Sequence, residues 1–229
     1  MPLNTSASPS VTDALNTRLT VRDFLDTPVP NDVLTALFEA ARRAPSGGNL
    51  QPWKVHVLTG DALSGFVKLG LETAMSGKQE TPTHPGYPSP LWEPQRTWRH
   101  KMGEDMYSIL GIPREDKPAR MKQILENMKF FGAPVGIIIT GNKDLNMPQY
   151  LDIGIYLQTL MLLAREAGFH TAPQGWWRQF PSVSAAKLNI PEDEEVMVGM
   201  GMGYGNADAP INDLVTDRGT LAETVQFYS

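Results

Sequence analysis

The chain has 229 residues with 41% hydrophobic residues, 20 Lys and Arg against 25 Asp and Glu, a net charge of −5 and no cysteine. This length predicts one large domain with a sizeable core, and the acidic balance argues against a protein that coats nucleic acid or anchors electrostatically to a membrane. Without cysteine there are no disulfides, no thiolate-bound zinc and no thiol redox chemistry, so redox work would require a bound cofactor.

The N-terminus lacks the features of a secretory signal. Residues 1–10 are rich in Ser, Thr and Pro, without a positive region followed by an apolar one, and we expect them to be loose. The most apolar stretch, residues 153–167, is interrupted by charged residues and is shorter than the roughly 20 apolar residues that span a bilayer. We therefore expect a cytoplasmic protein without a membrane or nucleic-acid partner.

Hydrophobic periodicity and turn residues predict the elements in chain order. They are a helix from Ser10 or Thr12, a helix over 31–43 capped by Asn31, a strand over 53–58, helices over 61–75, 99–110 and 114–131, a strand over 136–140, a central apolar helix over 149–167, a strand over 171–174, a helix over 182–188 capped by Ser182, a strand over 195–204 and an edge strand over 224–228. This order does not alternate as βαβα, which favours a single α+β domain over residues 1–229 that ends in an arm over 205–229.

Residues 77–98 differ from the rest of the chain. Five prolines and the aromatic residues Tyr87, Trp92 and Trp98 lie there. Each proline fixes φ and removes a hydrogen-bond donor, so an ordered but irregular segment is expected. Such a segment suits a lid over a binding site or an arm that covers a partner subunit, and the composition favours neither. With the helices that follow, residues 77–131 are predicted to form a lid that sets substrate specificity.

Three motifs are candidates for ligand binding. Arg18, Thr20 and Arg22 share a face if the segment is a strand, and the two arginines still do in a helix, which suits a phosphate; the alternative is an exposed basic pair. The string over 45–53 has glycines that let backbone approach a flat ligand, or is simply a polar loop. The string over 173–177 offers a backbone N–H and two indoles, or is a turn that feeds core tryptophans.

Two other sequence patterns are weaker indications of a ligand site than these three motifs. The glycines over 199–205 alternate within a strand and no helix start follows, so they are not a dinucleotide fingerprint and instead indicate close packing. The four histidines are scattered without the spacing of metal ligands, and we expect no metal site.

The order of the motifs resembles the nitroreductase family. Arg-x-Thr-x-Arg-Asp-Phe at the start is followed by Pro-Val-Pro, by Ala-Pro-Ser-Gly-Gly-Asn-Leu-Gln-Pro-Trp, by Phe-Gly-Ala-Pro-Val, by the Pro-Gln-Gly turn and by a late arginine. The similarity extends from about residue 12 to the C-terminus and is greatest to the branch that reduces nitrobenzoates and dinitroanilines.

The resemblance implies a nitroreductase-like α+β sandwich with a mostly antiparallel central sheet flanked by helices. It implies a homodimer with FMN sites at the interface, and NADH or NADPH as the electron donor. The implied cofactor-binding residues are Arg18, Thr20, Arg22, Pro45, Ser46, Gly47, Asn49, Pro173, Gln174, Gly175 and Arg218. The expected substrate-binding residues are Gly48, Trp92, Trp98 and Phe130.

The implied activity is two-electron reduction of nitroaromatic compounds to nitroso and hydroxylamine products in a ping-pong mechanism. No catalytic side chain is obligatory, and the backbone of Gly175 would lie near the reactive flavin N5. The alternatives are a reductive dehalogenase or an enone or quinone reductase on the same scaffold, and a flavin-binding protein without turnover.

Overall fold

The computed structural model describes residues 3–77, 80–81 and 86–229. Within them, four strands form one antiparallel sheet in the order β1-β2-β4-β3. The strands are β1 (Lys54–Thr59), β2 (Val135–Asn142), β3 (His170–Gln174) and β4 (Glu194–Gly203). The α-helices are α1 (Val11–Thr17), α2 (Asn31–Ala41), α3 (Gly60–Met75), α4 (Gln95–Ile109), α5 (Lys117–Leu125), α6 (Met147–Glu166), α7 (Pro181–Leu188) and α8 (Leu221–Thr224).

Helices cover both faces of the sheet, because the central strands are apolar on both sides. Ile137 and Ile139 of β2 face α2 and α6, whereas Ile138, between them, faces Phe66 of α3 and Trp177. Successive residues of a strand point to opposite faces, so β2 connects the two cores. The predicted α+β class, with an antiparallel sheet flanked by helices, is confirmed.

Helix α6 is long and apolar, yet one face of it lies open. Its inner residues, such as Ile153 and Leu160, are buried, while Met147, Leu151 and Ile155 are 74%, 64% and 42% exposed. The predicted central helix therefore contributes one face to the core of its own chain and leaves another face uncovered. No helix within the described part of the chain is long and apolar enough to cross a membrane.

Part of the N-terminal segment, which was expected to be loose, contacts the core, while most of its described residues are exposed. Leu3 and Ser8 are buried. The fully buried guanidinium of Arg165 donates to the backbone oxygens of Ser6 (2.6 Å), Asn4 (3.3 Å) and Phe169 (3.1 Å). A buried cation needs acceptors for its donors, so Arg165 holds the N-terminal segment against the end of α6.

His170 lies beside Arg165 and predicts a pH effect. Its Nδ1 accepts from the backbone N–H of Gly205 (3.3 Å) and its Nε2 donates to the Asn4 oxygen (3.0 Å). Burial and the Arg165 charge lower the pKa of His170 to about 4. Unfolded histidine titrates near 6.5, so the neutral form stabilises the fold above that pH and this contribution is lost as pH falls toward 4.

We expect wild-type protein to lose about 2 kcal/mol of unfolding free energy between pH 8 and pH 5 through this histidine. Urea unfolding of wild type and His170→Gln at both pH values measures it, since the variant should lack that part of the pH dependence. His100→Gln, a change at an exposed histidine, is the control. An equal pH slope in wild type and His170→Gln would contradict the expectation.

The remaining differences from the sequence expectation have local causes. The expected strand over 224–228 is absent: a capping box between Thr220 and Glu223 starts the single turn of α8, and the chain then continues without pairing. The expected helix over 114–131 is shorter, because residues 126–132 form a 3-10 segment with Phe130 and Phe131 at positive φ. Neither Asn31 nor Ser182 occupies the N-cap position of its helix; Pro30 and Phe180 do, without a side-chain cap bond.

Candidate functional site

The segment with the two arginines runs extended along the edge of the sheet. Thr20 forms a parallel bridge to Thr171 of β3, and the backbone N–H of Val21 donates to the Thr171 oxygen (3.2 Å). The segment is therefore extended around Thr20, as in the strand alternative, and the chain bends at Arg22 and Asp23. Arg18, Thr20 and Arg22 are all half-buried.

The cations of this segment lack compensating carboxylates. In residues 3–77, 80–81 and 86–229, no ion pair involves Arg18, Arg22 or Arg218. Burial and then the nearby Arg218 charge lower the pKa of Arg18, and burial lowers the pKa of Arg22. The C-terminal arm thus places the Arg218 charge close enough to Arg18 to repel it. A half-buried guanidinium, Arg18, that an exposed one, Arg218, repels would be stabilised by an anion between them.

Arg218 is held by its own turn. Its Nη1 donates to the Thr216 oxygen (2.9 Å), the Thr216 hydroxyl (2.7 Å) and the Asp217 oxygen (2.9 Å). Nearer the sheet, buried Asn212 accepts from the backbone N–H of Arg22 (2.8 Å). The arm is therefore fastened to the arginine segment before it reaches Arg218.

The Pro-Gln-Gly turn lies at the far end of β3. Gln174 is buried, and its amide donates to the backbone oxygen of Asn127 (2.8 Å), so it packs toward residues 126–132. Gly175 is exposed, and a Cβ placed on it would meet no atom within 4 Å. From Thr171, beside Thr20, to Gly175 the strand advances about 13 Å. The edge of the sheet thus has cations at one end and open backbone at the other.

The two indoles after this turn differ in their surroundings. Trp177 is fully buried and stacks on Phe130, with ring centroids 4.8 Å apart, and contacts Phe66 at 4.8 Å. Trp176 is half-buried and contacts Phe180. Trp177 is therefore a core residue. Phe130, expected as a substrate wall, is also fully buried, so the structure places it inside the core and not on an open cleft.

The glycine-rich loop is anchored on α6. The backbone N–H of Gly47 donates to Asp152 (3.1 Å), and the Ser46 hydroxyl accepts from the N–H of Gln51 (2.9 Å). Gly48 and Asn49 have positive φ values of 58° and 56°. The rest of the loop's candidate residues, Pro45, Gly47, Gly48 and Asn49, are exposed.

The loop and the arginines lie at opposite ends of α6. Asp152 holds Gly47 near the start of the helix, whereas Arg165, near its end, bonds Ser8 and Thr17 beside Arg18. The 13 residues from Asp152 to Arg165 correspond to about 20 Å of helix. A single chain therefore keeps these two groups of predicted site residues apart.

Within the predicted lid, helices α4 and α5 lie at the surface, whereas residues 126–131 include core residues such as Phe130. No residue of α4 or α5 is fully buried, and a cavity of about 510 Å³ opens between α5, Arg22 and residues 126–132. Trp92 is 59% exposed and Trp98 37%. Pro82 and Pro85 of this segment lie outside the described residues.

Sequence reasoning missed the residues that hold the site in shape. Asp152 accepts a hydrogen bond from the glycine-rich loop, and Asn127 accepts one from Gln174. Asn212 accepts one from Arg22 and so joins Arg22 to the arm. Asp152 was detectable, as a lone acid in an apolar helical stretch. The two asparagines give no local signal, because their partners are distant in sequence.

Comparison with known proteins finds matches over most of the chain. Residues 15–204 match the model of the Nitroreductase family. The chain is similar to nitrobenzene nitroreductase of Ectopseudomonas oleovorans, with 33% identity over 221 residues that cover 96% of this chain and 97% of that protein. It is 37% identical over 202 residues to 4-nitrobenzoate reductase of Pseudomonas putida, covering 88% of each.

A solved structure shows the same fold. The crystal structure of the FMN and NADPH-dependent nitroreductase NfnB from Sphigopyxis sp. strain HMH superposes with a TM-score of 0.93 and 35% identity, and the match covers 96% of this chain and 99% of that chain.

Proposed function

The chain belongs to the nitroreductase family, and on that premise we propose that it is an FMN-dependent oxidoreductase that uses NADH or NADPH to reduce nitroaromatic compounds. The observation that carries the proposal is the edge of β3, where the bridge of Thr20 to Thr171 places Arg18 at one end and exposed Gly175 lies at the other. Relatives that match over most of the chain are named for nitrobenzene and nitrobenzoate reduction.

The residues present fit FMN. A phosphate monoester is dianionic, and Arg18 with Arg218 offers two guanidiniums whose mutual repulsion it would relieve. Thr20 adds a hydroxyl, and half-buried Arg22 adds a third cation. Space over Gly175 admits a flat ring against backbone. Bound FMN supplies the redox chemistry, accepting a hydride from the nicotinamide and passing two electrons to a nitro group.

The residues of the chain would bind and orient the cofactor. Arg18 and Arg218 would fix the phosphate, and Pro173 and Gly175 would support the ring, with the Gly175 N–H directed at developing charge. Gln174 keeps the turn in place through Asn127. Ser46, Gly47 and Asn49, with Pro45 and Gly48, would border a cofactor or substrate held by the other subunit, because α6 separates them from their own chain's arginines.

A homodimer accounts for the surface of α6. Met147, Leu151 and Ile155 form an exposed apolar stripe, and Val11 and Leu15 of the adjacent α1 are 67% and 51% exposed. A contiguous apolar patch of this kind is typical of a protein interface. The arm ends in Phe227 and Tyr228, 84% and 88% exposed, which would pack on the second subunit.

Trp92 is proposed to contact the aromatic substrate. It is an exposed indole on the predicted lid, and apolar walls hold aromatic rings. We expect Trp92→Ala to raise the KM for nitrobenzoate about three- to tenfold, the loss of one good aromatic contact, with FMN content unchanged. Steady-state kinetics at saturating NADPH measure this; unchanged KM values would remove Trp92 from the substrate site.

Turnover assays separate the proposal from its alternatives. Purified protein with FMN is given NADH or NADPH and, in parallel, 4-nitrobenzoate, a halophenol or an enone. The proposal expects kcat/KM to be highest for the nitro compound, with hydroxylamine as product. Preference for the halophenol or the enone would indicate a dehalogenase or an enone reductase. Bound FMN that NADH and NADPH never reduce would indicate a flavin-binding protein without turnover.

A further inference from the structure

Helix α4 contacts the residues immediately before and after Arg218 in the C-terminal turn. Asp217, just before Arg218, pairs with Lys101 of α4 (3.0 Å). Gly219, just after it, lies so close to Trp98 of α4 that an added Cβ would be 2.9 Å from the indole ring. The two α4 residues are one turn apart and therefore share a face of the helix.

Without these contacts the Arg218 turn has little to hold it. Asp217, Arg218 and Thr220 are exposed, and the hydrogen bonds of Arg218 are confined to its own turn. The buried anchor at Asn212 lies six residues earlier. Since Arg18 repels Arg218, the turn would tend to move away from Arg18 in the absence of an anion.

We propose that Trp98 and Lys101 form a clamp that holds Arg218 beside Arg18, and so make the lid segment a determinant of affinity for the phosphate end of the cofactor. This inference rests on the proposed FMN site. Trp98 acts through van der Waals contact with Gly219, which has no side chain and so lets the indole approach. Lys101, which also pairs with Asp105 of its own helix (2.6 Å), pairs with Asp217 and so reduces the attraction of this neighbouring carboxylate for Arg218. Both are positioning residues.

The clamp separates two roles for Trp98. As a clamp residue it affects only ligands that carry the phosphate. As a wall for the aromatic substrate, the role expected from the aromatic content of the lid segment, it affects KM for nitroaromatics and leaves FMN affinity unchanged. Riboflavin, which shares the ring and lacks the phosphate, distinguishes the two.

The test is titration of apoprotein with FMN and with riboflavin, followed by flavin fluorescence. We expect Trp98→Ala to weaken FMN binding about three- to tenfold, the cost of ordering a turn that is no longer held, with riboflavin affinity unchanged. Gly219→Ala should weaken FMN binding in wild type and add nothing in the Trp98→Ala background, because its steric clash is then gone. Trp92→Ala, a more exposed tryptophan of the same segment, is the matched control.

The rate of tryptic cleavage after Arg218 tests the clamp in the absence of flavin. Apo Trp98→Ala should be cut there faster than apo wild type, as an intact-mass time course shows. Equal cleavage, equal losses of FMN and riboflavin affinity, or an additive Gly219→Ala effect would overturn the clamp. Wild type that binds neither flavin would overturn the proposed function instead, and the cleavage experiment would still decide the clamp.

Discussion

Replacing both Arg18 and Arg218 by alanine is expected to weaken FMN binding about 10²- to 10⁴-fold while riboflavin binding stays within about twofold. Each hydrogen bond to a charged group contributes about 1.5–3 kcal/mol, roughly a factor of 10 to 100 in affinity. The two guanidiniums lie close enough to repel each other, and no ion pair within the described residues neutralises either one. Calorimetric titration of apoprotein with each flavin measures the effect.

The single variants sharpen this prediction. Arg218→Ala should slightly stabilise the apoprotein, because it removes the repulsion that Arg18 experiences, and should destabilise the FMN complex. Arg42→Ala is the control, since Arg42 is exposed and pairs with Glu39 away from the site. Equal losses for FMN and riboflavin would show that these arginines shape the protein and do not hold a phosphate.

Gly201→Ala is expected to destabilise the fold by about 3 kcal/mol or more, the upper end of overpacking effects. Gly201 lies on β4, paired with Gly136 of β2 on one side and Ala172 of β3 on the other. A Cβ there would be 2.7 Å from the backbone oxygen of Phe130. Backbone cannot rotate away as a side chain can, and β4 is hydrogen-bonded on both edges, so neither partner yields easily.

Urea unfolding compares this variant with Gly103→Ala. Gly103 lies in α4 with no atom within 4 Å of an added Cβ, and alanine there should stabilise the helix by up to about 1 kcal/mol. A Gly201→Ala protein as stable as wild type would show that residues 126–132 can move away from the sheet. That result would also weaken the account of Gln174, which Asn127 of the same segment holds.

The sequence predicted the elements of the fold where hydrophobic periodicity and turn-forming residues indicated the same boundaries. The apolar runs at β2 and β4 and the helical stripe of α2 predicted those elements within a few residues. The alternating glycines over 199–205 indicated close packing, and Gly201 and Gly203 do lie against Phe130 and Pro134. Because these glycines lie along a strand and not in a turn that leads into a helix, they are not a dinucleotide-binding motif.

Other features depended on contacts between distant residues. The N-terminal segment has the composition of a loose tail, yet buried Arg165 orders it by using its carbonyls as acceptors. Phe130 was expected as a substrate wall and instead lies in the core, where it stacks on Trp177, and Trp177 follows the core alternative that the sequence left open. The edge strand expected over 224–228 is absent, the capped single turn of α8 forms instead, and α4 contacts the residues just before that turn.

The measurement that tests the central claim most directly is an anaerobic visible spectrum of the protein with bound FMN. NADPH or NADH is added first, and 4-nitrobenzoate is added after the flavin is reduced. The account predicts that the flavin absorbance bleaches with the nicotinamide and returns with the nitro compound. Protein that takes up no FMN, or whose reduced flavin the nitro compound does not reoxidise, would contradict it.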